Sequence, residues 1–404
     1  MISIDNKEDC CGCWACFSSC PTKCIDMKED KEGFRYPVVD TEKCIDCHLC
    51  EKVCPILHPV DEIESEQKGY IVQHRNNEIL RESTSGGAFT AIASWVLSKG
   101  GVVFGAAYDD NLIVHHTYVN NFADLKKFRN SKYTQSEIRT AYIDTKRFLK
   151  NGIIVLFSGT PCQIEGLCSF LRKKYENLIL LDVVCRAVPS PLVFRKYKEM
   201  KEERQKSRIQ ELLFRDKRYG YKYSTMTLKY ENGNVESEGI DTDGYLRAFF
   251  SGISLRQSCM DCKFRKRYRV SDFTIWDCFD VEQYSSDMNN DKGATKVIAH
   301  TDKAREIMKG IYHDVNYISS DVEKMLTLGG GNDVIIKISA HPLRKNFFDD
   351  ISTLPPADVF EKYFPVRLKN KLEKKIRIIT AKTGLYNIIK KCYVAIVGRE
   401  NIKR

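Results

Sequence analysis

Two short cysteine runs constrain this chain more than any other feature. Cys10-Cys11-Gly12-Cys13-Trp14-Ala15-Cys16-Phe17-Ser18-Ser19-Cys20-Pro21 and Cys44-Ile45-Asp46-Cys47-His48-Leu49-Cys50-Glu51-Lys52-Val53-Cys54-Pro55 both spell C-x2-C-x2-C-x3-C-P. Three thiolates at that spacing wrap one face of an iron–sulfur cube, and the fourth reaches across to a second cube. The rule assigns Cys10, Cys13, Cys16 and Cys54 to one [4Fe–4S] cluster, and Cys44, Cys47, Cys50 and Cys20 to another. Zinc favours paired half-sites separated by a longer loop. A disulfide framework does not need one spacing twice with proline after each fourth cysteine. Cys11 and Cys24 are left over as small packing residues around the cubes.

The chain has 404 residues and 43% apolar content, enough for a real core and two or three domains. No run of apolar residues is long enough to span a bilayer. Met1-Ile2-Ser3-Ile4-Asp5 shows no basic region followed by an apolar one, so no leader is expected. Seventeen cysteines then point to a reducing compartment, the cytoplasm, with thiolates used as ligands. The net charge of +10 is segregated: residues 362–404 hold thirteen lysines and arginines against Glu373 and Glu400, which is +11 and leaves −1 for the rest.

Between the cysteine runs, Glu32 to Val39 predicts a turn and a short strand. Residues 56–68, acidic and carrying Pro59, predict a linker, and Tyr70-Ile71-Val72-Gln73 the first strand of a larger domain. Ser83-Thr84-Ser85-Gly86-Gly87 then opens an apolar helical run from Ala88 to Leu97, which Gly100-Gly101 ends ahead of a buried strand. A Ser/Gly loop at a helix start presents backbone N–H groups suited to a phosphate, though the same residues serve an ordinary tight turn. Ile153 to Phe157 is a continuous apolar strand ending in Ser158-Gly159-Thr160-Pro161-Cys162. A helix over about 163–174 follows, then a second buried strand, Leu178 to Val184, ending at Cys185. Strand, helix and strand at this spacing predict a right-handed parallel βαβ unit. Cys162 and Cys185 would lie just past the strands' carboxyl ends, where open α/β sheets place ligands. Farther on, Ser224 to Tyr230 predicts a strand turning at Asn232-Gly233. Asp272 to Cys278 reads as another strand, and Thr301 caps a helix running to Tyr312. His74 and the pair His115-His116 show no ligand spacing and read as surface or strand residues.

Six stretches together resemble the β-subunit family of coenzyme F-420 hydrogenases and dehydrogenases, over about residues 7–300. They are the paired cysteine runs, which have the bacterial ferredoxin spacing, Ser83 to Ala88, Ser131-Lys132-Tyr133-Thr134-Gln135-Ser136, Phe157 to Leu167, Asp182 to Pro191, and Cys259 to Cys262 with Asp272 to Asp277. The resemblance implies an FAD site at Ser85, Gly86, Gly87, Ser131, Lys132, Gly159, Thr160, Pro161 and Gln163, with electrons exchanged between flavin and clusters. It leaves open whether coenzyme F-420 is used, since many bacterial members occur beside polysaccharide-assembly genes. Two stretches depart from the family pattern. Cys185-Arg186-Ala187-Val188-Pro189-Ser190 stands where Cys-His-Gly-Val-Pro-Ser is usual, and Trp276-Asp277 stands in place of Gly-Asp.

The resulting expectation is an α+β chain in three parts. A two-cluster ferredoxin-like domain (1–60) precedes a mixed α/β flavin domain with the parallel βαβ unit (61–345), followed by a basic helical tail (346–404). Its expected function is an iron–sulfur flavoprotein oxidoreductase acting on a small-molecule or deazaflavin-type substrate. The alternative is a non-catalytic electron-transfer subunit of a larger redox or glycan-assembly complex. Clusters move single electrons and flavin accepts pairs; with the resemblance, Lys132 and Cys162 are the candidate catalytic residues. Lys132 would neutralise a reduced flavin or a phosphate, or simply be solvated. Cys162, Cys185, Cys259 and Cys262 could hold a third cluster, with Cys278 a rival ligand; a set of inert buried cysteines is the other reading. Partners would be a ferredoxin or another redox protein. From Val366 to Val397, apolar residues at helical spacing alternate with lysines and arginines, and Gly384 would break the run into two helices. Such a tail can lie on an anionic membrane face or pack on the protein's own core. Nucleic acid is not expected, because few aromatic residues accompany the charge.

Overall fold

The structure, a computed structural model, describes residues 1–336 and 338–383. The expected helix break at Gly384 and everything after it lie outside the described residues. Three sheets organise the fold. The hairpin β1 (Ile25–Glu29) and β2 (Arg35–Val39) belongs to the cysteine-rich N-terminal segment. The main sheet has eight strands: β3 (Lys68–His74), β4 (Val102–Tyr108), β5 (Val114–Val119), β6 (Val155–Gly159), β7 (Leu178–Val183), β11 (Phe273–Asp277), β12 (Thr295–Ala299) and β13 (Val315–Ser320). A three-stranded antiparallel sheet is inserted between β7 and β11, built from β8 (Ile209–Asp216), β9 (Thr225–Tyr230) and β10 (Val235–Glu238).

The main sheet runs in the order β13-β3-β12-β11-β7-β6-β4-β5. β4, β6, β7 and β11 are parallel neighbours, while β12, β3, β13 and β5 add antiparallel pairings. The βαβ unit forms as expected, with the helix Pro161–Leu171 joining β6 to β7. Because β3 is antiparallel to β12 and β12 to β11, β3 points the same way as the parallel strands. The carboxyl ends of β3, β4, β6, β7 and β11 therefore share one edge.

Both faces of this sheet are covered, which is why residues 155–157 of β6 and 178–181 of β7 are continuously apolar instead of alternating. Leu156, Ile179 and Leu181 pack with the helices Ala88–Ser98 and Asp302–Gly310 on one face. Val155, Phe157, Leu178 and Leu180 pack on the other face with the helices Ala141–Lys150 and Pro161–Leu171, and with Cys11, Cys13, Trp14 and Ala15. The N-terminal segment is thus part of the core. Arg344 pairs with Glu32 at 2.5 Å to hold the hairpin end as well.

The boundary drawn at 346 runs through the helix Arg344–Thr353. That helix and Pro356–Tyr363 bury Phe347, Phe348, Ile351, Val359 and Phe360 against the small sheet. Large apolar side chains at helical spacing outweigh the local positive charge here, so the exposed basic part begins only after Phe364. Residues 56–67 lack regular structure, and the body grips them: Lys266 Nζ donates to the Val60 carbonyl at 2.7 Å and Arg305 Nη1 to that of Glu66 at 3.0 Å.

Candidate metal and cofactor site

The two cysteine ladders fold into the same turn. Gly12 and Trp14 have φ of 69° and 65°, and their counterparts Asp46 and His48 have φ of 50° and 57°. Three of these four residues carry side chains, and the left-handed region costs such residues roughly 1 kcal/mol or more each. Such turns aim successive N–H groups into one concavity, as anionic iron–sulfur sites require. Burial pushes the Cys16 thiol well up, and the nearby thiols of Cys13, Cys10 and Cys54 push it further, so the four ligands expected of the first cluster are neighbours. Cys20, Cys44, Cys47 and Cys50 line a second pocket with Cys24. Cys24 packs there as expected, with its Sγ 3.4 Å from that of Cys20. Among the described residues, no three His, Cys, Asp or Glu side chains close on a single-ion point.

A third group of thiols lies on the sheet edge. Cys162, Cys185, Cys259 and Cys262 line one cavity. Burial raises the Cys185 pKa, and Cys259, Cys162 and Cys262 raise it further. Cys162 reaches this cavity from the second position of its helix, whose start is closed by a capping box between Thr160 and Gln163. The rival ligand Cys278 is elsewhere: it is buried among Ile71, Val281 and Ile298, with its Sγ 3.7 Å from Asp280. Of the family-pattern departures, Arg186 and Ala187 line the thiol cavity.

Cys11 joins this group to the first ladder. Hydrogen bonds to Cys13 and Cys162 hold its own thiol pKa well up, and the same contacts pull those of Cys13 and Cys162 down. Cys11 thus lies within hydrogen-bond reach of both Cys13 and Cys162. Gly166 permits this approach: a Cβ there would stand 2.8 Å from Cys13 Cβ and 3.1 Å from the Tyr142 hydroxyl.

Sequence reasoning missed Arg256, the largest fully buried side chain in the described residues. It donates to the carbonyls of Cys10 (2.8 Å) and Arg35 (3.1 Å), to Gln135 Oε1 (2.9 Å) and to Cys10 Sγ (3.6 Å). Its guanidinium also lies 4.3 Å from the Tyr36 ring centre. Gln135 in turn donates to the Cys11 carbonyl at 3.2 Å. The only sequence hint was an arginine three residues ahead of the C-x2-C pair.

The residues assigned to flavin fall in two places joined by one strap. Ser131 N donates to Thr84 Oγ1 at 2.7 Å, which holds Ser131 and Lys132 against the Ser85–Gly87 loop. Five residues on, the Ser136 carbonyl accepts from Gln163 Nε2 at 3.3 Å, beside Gly159, Thr160 and Pro161. Fully extended, such a segment spans about 20 Å. The loop suits the anionic part of a dinucleotide. The helix Ala88–Ser98 starts at buried Gly87 with no side-chain cap, which leaves backbone N–H groups for an anion. The Lys132 amine donates to the carbonyls of Arg129 and Asn130 with the Tyr108 ring centre 5.5 Å away, and burial pushes its pKa down to about 7. Lys217 donates to the Ser85 carbonyl at 2.6 Å, and burial brings it also to about 7.

Gly86 plays a different part from the one expected of it. Its N–H donates to Thr295 Oγ1 at 2.8 Å, and a Cβ would stand 2.1 Å from the Val72 carbonyl oxygen. The glycine is needed for the loop to lie against β3 and β12. His116 is on β5 as expected, but it is buried instead of surface, with Nδ1 2.7 Å from Ser136 Oγ and a pKa held near 4 by burial. His74 is likewise buried, on β3.

Residues 154–324 match the family described as the C terminus of the coenzyme F420 hydrogenase/dehydrogenase beta subunit, and residues 9–56 match the 4Fe-4S dicluster domain. A curated "Ferredoxin 7Fe" of Hydrogenibacillus schlegelii is 36% identical over 64 residues, which is 15% of this chain and 76% of that protein. A ferredoxin of Saccharopolyspora erythraea is 34% identical over 58 residues, 14% of this chain and half of its own length. A chain solved in the F420-reducing [NiFe] hydrogenase complex of Methanosarcina barkeri aligns with 75% of this chain and 92% of its own, at 15% identity and a TM-score of 0.43. An electron-transferring dicluster domain joined to a domain of this kind gives the protein a redox role. Its N-terminal segment belongs to the ferredoxin-type 4Fe-4S dicluster family, and the chain joins that segment to residues 154–324, which match the C terminus of the coenzyme F420 hydrogenase/dehydrogenase beta subunit.

Proposed function

We propose that this protein is an iron–sulfur flavin oxidoreductase whose electron path runs from the Cys44 ladder to the Cys10 ladder, on to the four thiols at the sheet edge, and to FAD. Its substrate would be a small molecule or a deazaflavin. The observation that carries this reading is Cys11, held between Cys13 of the first ladder and Cys162 of the third group. When bound, the clusters would supply one-electron steps and the flavin two-electron chemistry.

The chain's own residues set the conditions around those groups. Cys47 is exposed, so the second ladder is where a partner redox protein would make contact. Arg256 and Gln135 fasten the Cys10–Cys11 turn to the body. The uncapped helix start, with Lys132 and Lys217, would hold the phosphates and balance charge as the flavin is reduced. An amine with a pKa near 7 can also give or take a proton at the same place.

The test is the anaerobically purified protein. The expected result is flavin at one per chain and about twelve iron atoms, three cubes of four, with both chromophores bleached by dithionite and reoxidised by an added acceptor. Iron without flavin would replace this reading with that of an electron-transfer subunit.

A further inference from the structure

We infer that the helix Leu368–Lys382 is a docking face for an anionic lipid surface. This helix lies on the protein with its polar side inward. Lys374 Nζ pairs with Glu238 at 2.7 Å, and the Arg377 guanidinium sits 5.7 Å from the Tyr223 ring centre. Thr380 is buried, and Arg377 also helps offset the charge of Asp241. At the helix start, Arg247 Nη1 donates to the carbonyls of Phe364 (2.5 Å) and Pro365 (3.1 Å).

The apolar side faces out. Leu368, Leu372, Ile376 and Ile379 are 84%, 59%, 44% and 60% exposed. Their spacing puts them in one stripe about 16 Å long. A helix stabilised by packing on its own protein would bury this stripe and expose its lysines. Here the arrangement is inverted, and the usual explanation of an amphipathic helix does not apply.

Charge selects the occupant. Lys369, Lys371 and Lys375 are exposed alongside the stripe. Glu238 and Asp241, the acids near its base, lie beneath the helix opposite Lys374 and Arg377. Residues 362–404 carry +11 while the remaining chain carries −1. A basic rim around an apolar stripe matches the headgroup layer of an anionic membrane, where lysines meet lipid charge and the leucines and isoleucines enter the acyl boundary. Among the described residues no helix is long and apolar enough to cross a bilayer.

The experiment is flotation of the full, cofactor-loaded chain with vesicles of phosphatidylcholine alone, or with about a third phosphatidylglycerol. The wild type should float with the anionic vesicles only and be released at high salt. Leu372→Glu/Ile376→Glu should lose flotation. Lys369→Glu/Lys371→Glu/Lys375→Glu should bind at least roughly a hundredfold more weakly. An unchanged visible spectrum and melting temperature would show that both variants fold. Failure of the wild type to float, or equal flotation of the stripe variant, overturns the inference. So does a wild-type dimer in light scattering that the stripe variant abolishes without lipid, because a second copy would then cover the stripe.

Discussion

The side chain of Arg256 donates through Nε to the Cys10 carbonyl at 2.8 Å and through Nη2 to Cys10 Sγ at 3.6 Å. A fully buried cation on the loop before the Cys259 pair is thus attached to both the backbone and the sulfur of a ladder cysteine 246 residues away. Hydrogen bonds and net charge at the sulfurs set iron–sulfur potentials. Arg256→Gln should lower the potential of the centre ligated by Cys10 by about 60 mV, a tenfold change for a one-electron couple. Arg256→Lys should keep more of that potential while loosening the turn. A redox titration followed by electron paramagnetic resonance measures both, and an unchanged potential in Arg256→Gln counts against the contact.

The spacing rule has the ladders exchange their fourth ligands, which makes a prediction opposite to sequence proximity. Cys54→Ser should damage the centre of Cys10, Cys13 and Cys16, and Cys20→Ser that of Cys44, Cys47 and Cys50. Cys13→Ser should remove one centre and destabilise the other. Cys259→Ser should lower iron by about four atoms per chain while leaving both ladders intact. Iron analysis with resonance spectra separates these outcomes.

Lys132 makes stability depend on pH. Its folded pKa is near 7, below the ordinary lysine value of 10.5. Between those values the unfolded chain binds more protons than the folded one, so stability rises with pH across the window and levels off above it. Below about pH 7 the penalty for burying the charge is fully present, on the order of a few kcal/mol. Lys217, which burial also brings to about 7, titrates in the same window, so Lys132→Met should remove about half of the combined slope in denaturant titrations at pH 6, 8 and 10 and be the more stable protein at pH 6. It should also bind flavin less well.

Gly86→Ala should destabilise the protein by about 2–4 kcal/mol. The added carbon would meet the Val72 carbonyl oxygen, Thr295 N and the Ala294 Cα, all backbone atoms that cannot swing aside. Thermal melting measures the loss. Flavin release with unchanged melting would instead mean that the glycine serves only the cofactor.

What the residues alone determined about this protein is local in origin. The ladders announce their centres because three ligands on one turn need a fixed spacing. The βαβ unit is legible because apolar runs of strand length flank a helix-length segment. Both patterns survive without knowledge of what packs against them. The carboxyl-edge placement of Cys162 and Cys185 followed from the same unit, and the structure brings both to one cavity with Cys259 and Cys262. Tertiary structure alone decided the rest. Cys11, Arg256 and Gln135 acquire their roles from partners more than a hundred positions away, and Gly166 from the closeness of Cys13. The orientation of Leu368–Lys382 was equally hidden. Helical periodicity shows that an apolar stripe exists, but which side meets the body depends on the acids, Glu238 and Asp241, that the fold sets beneath it.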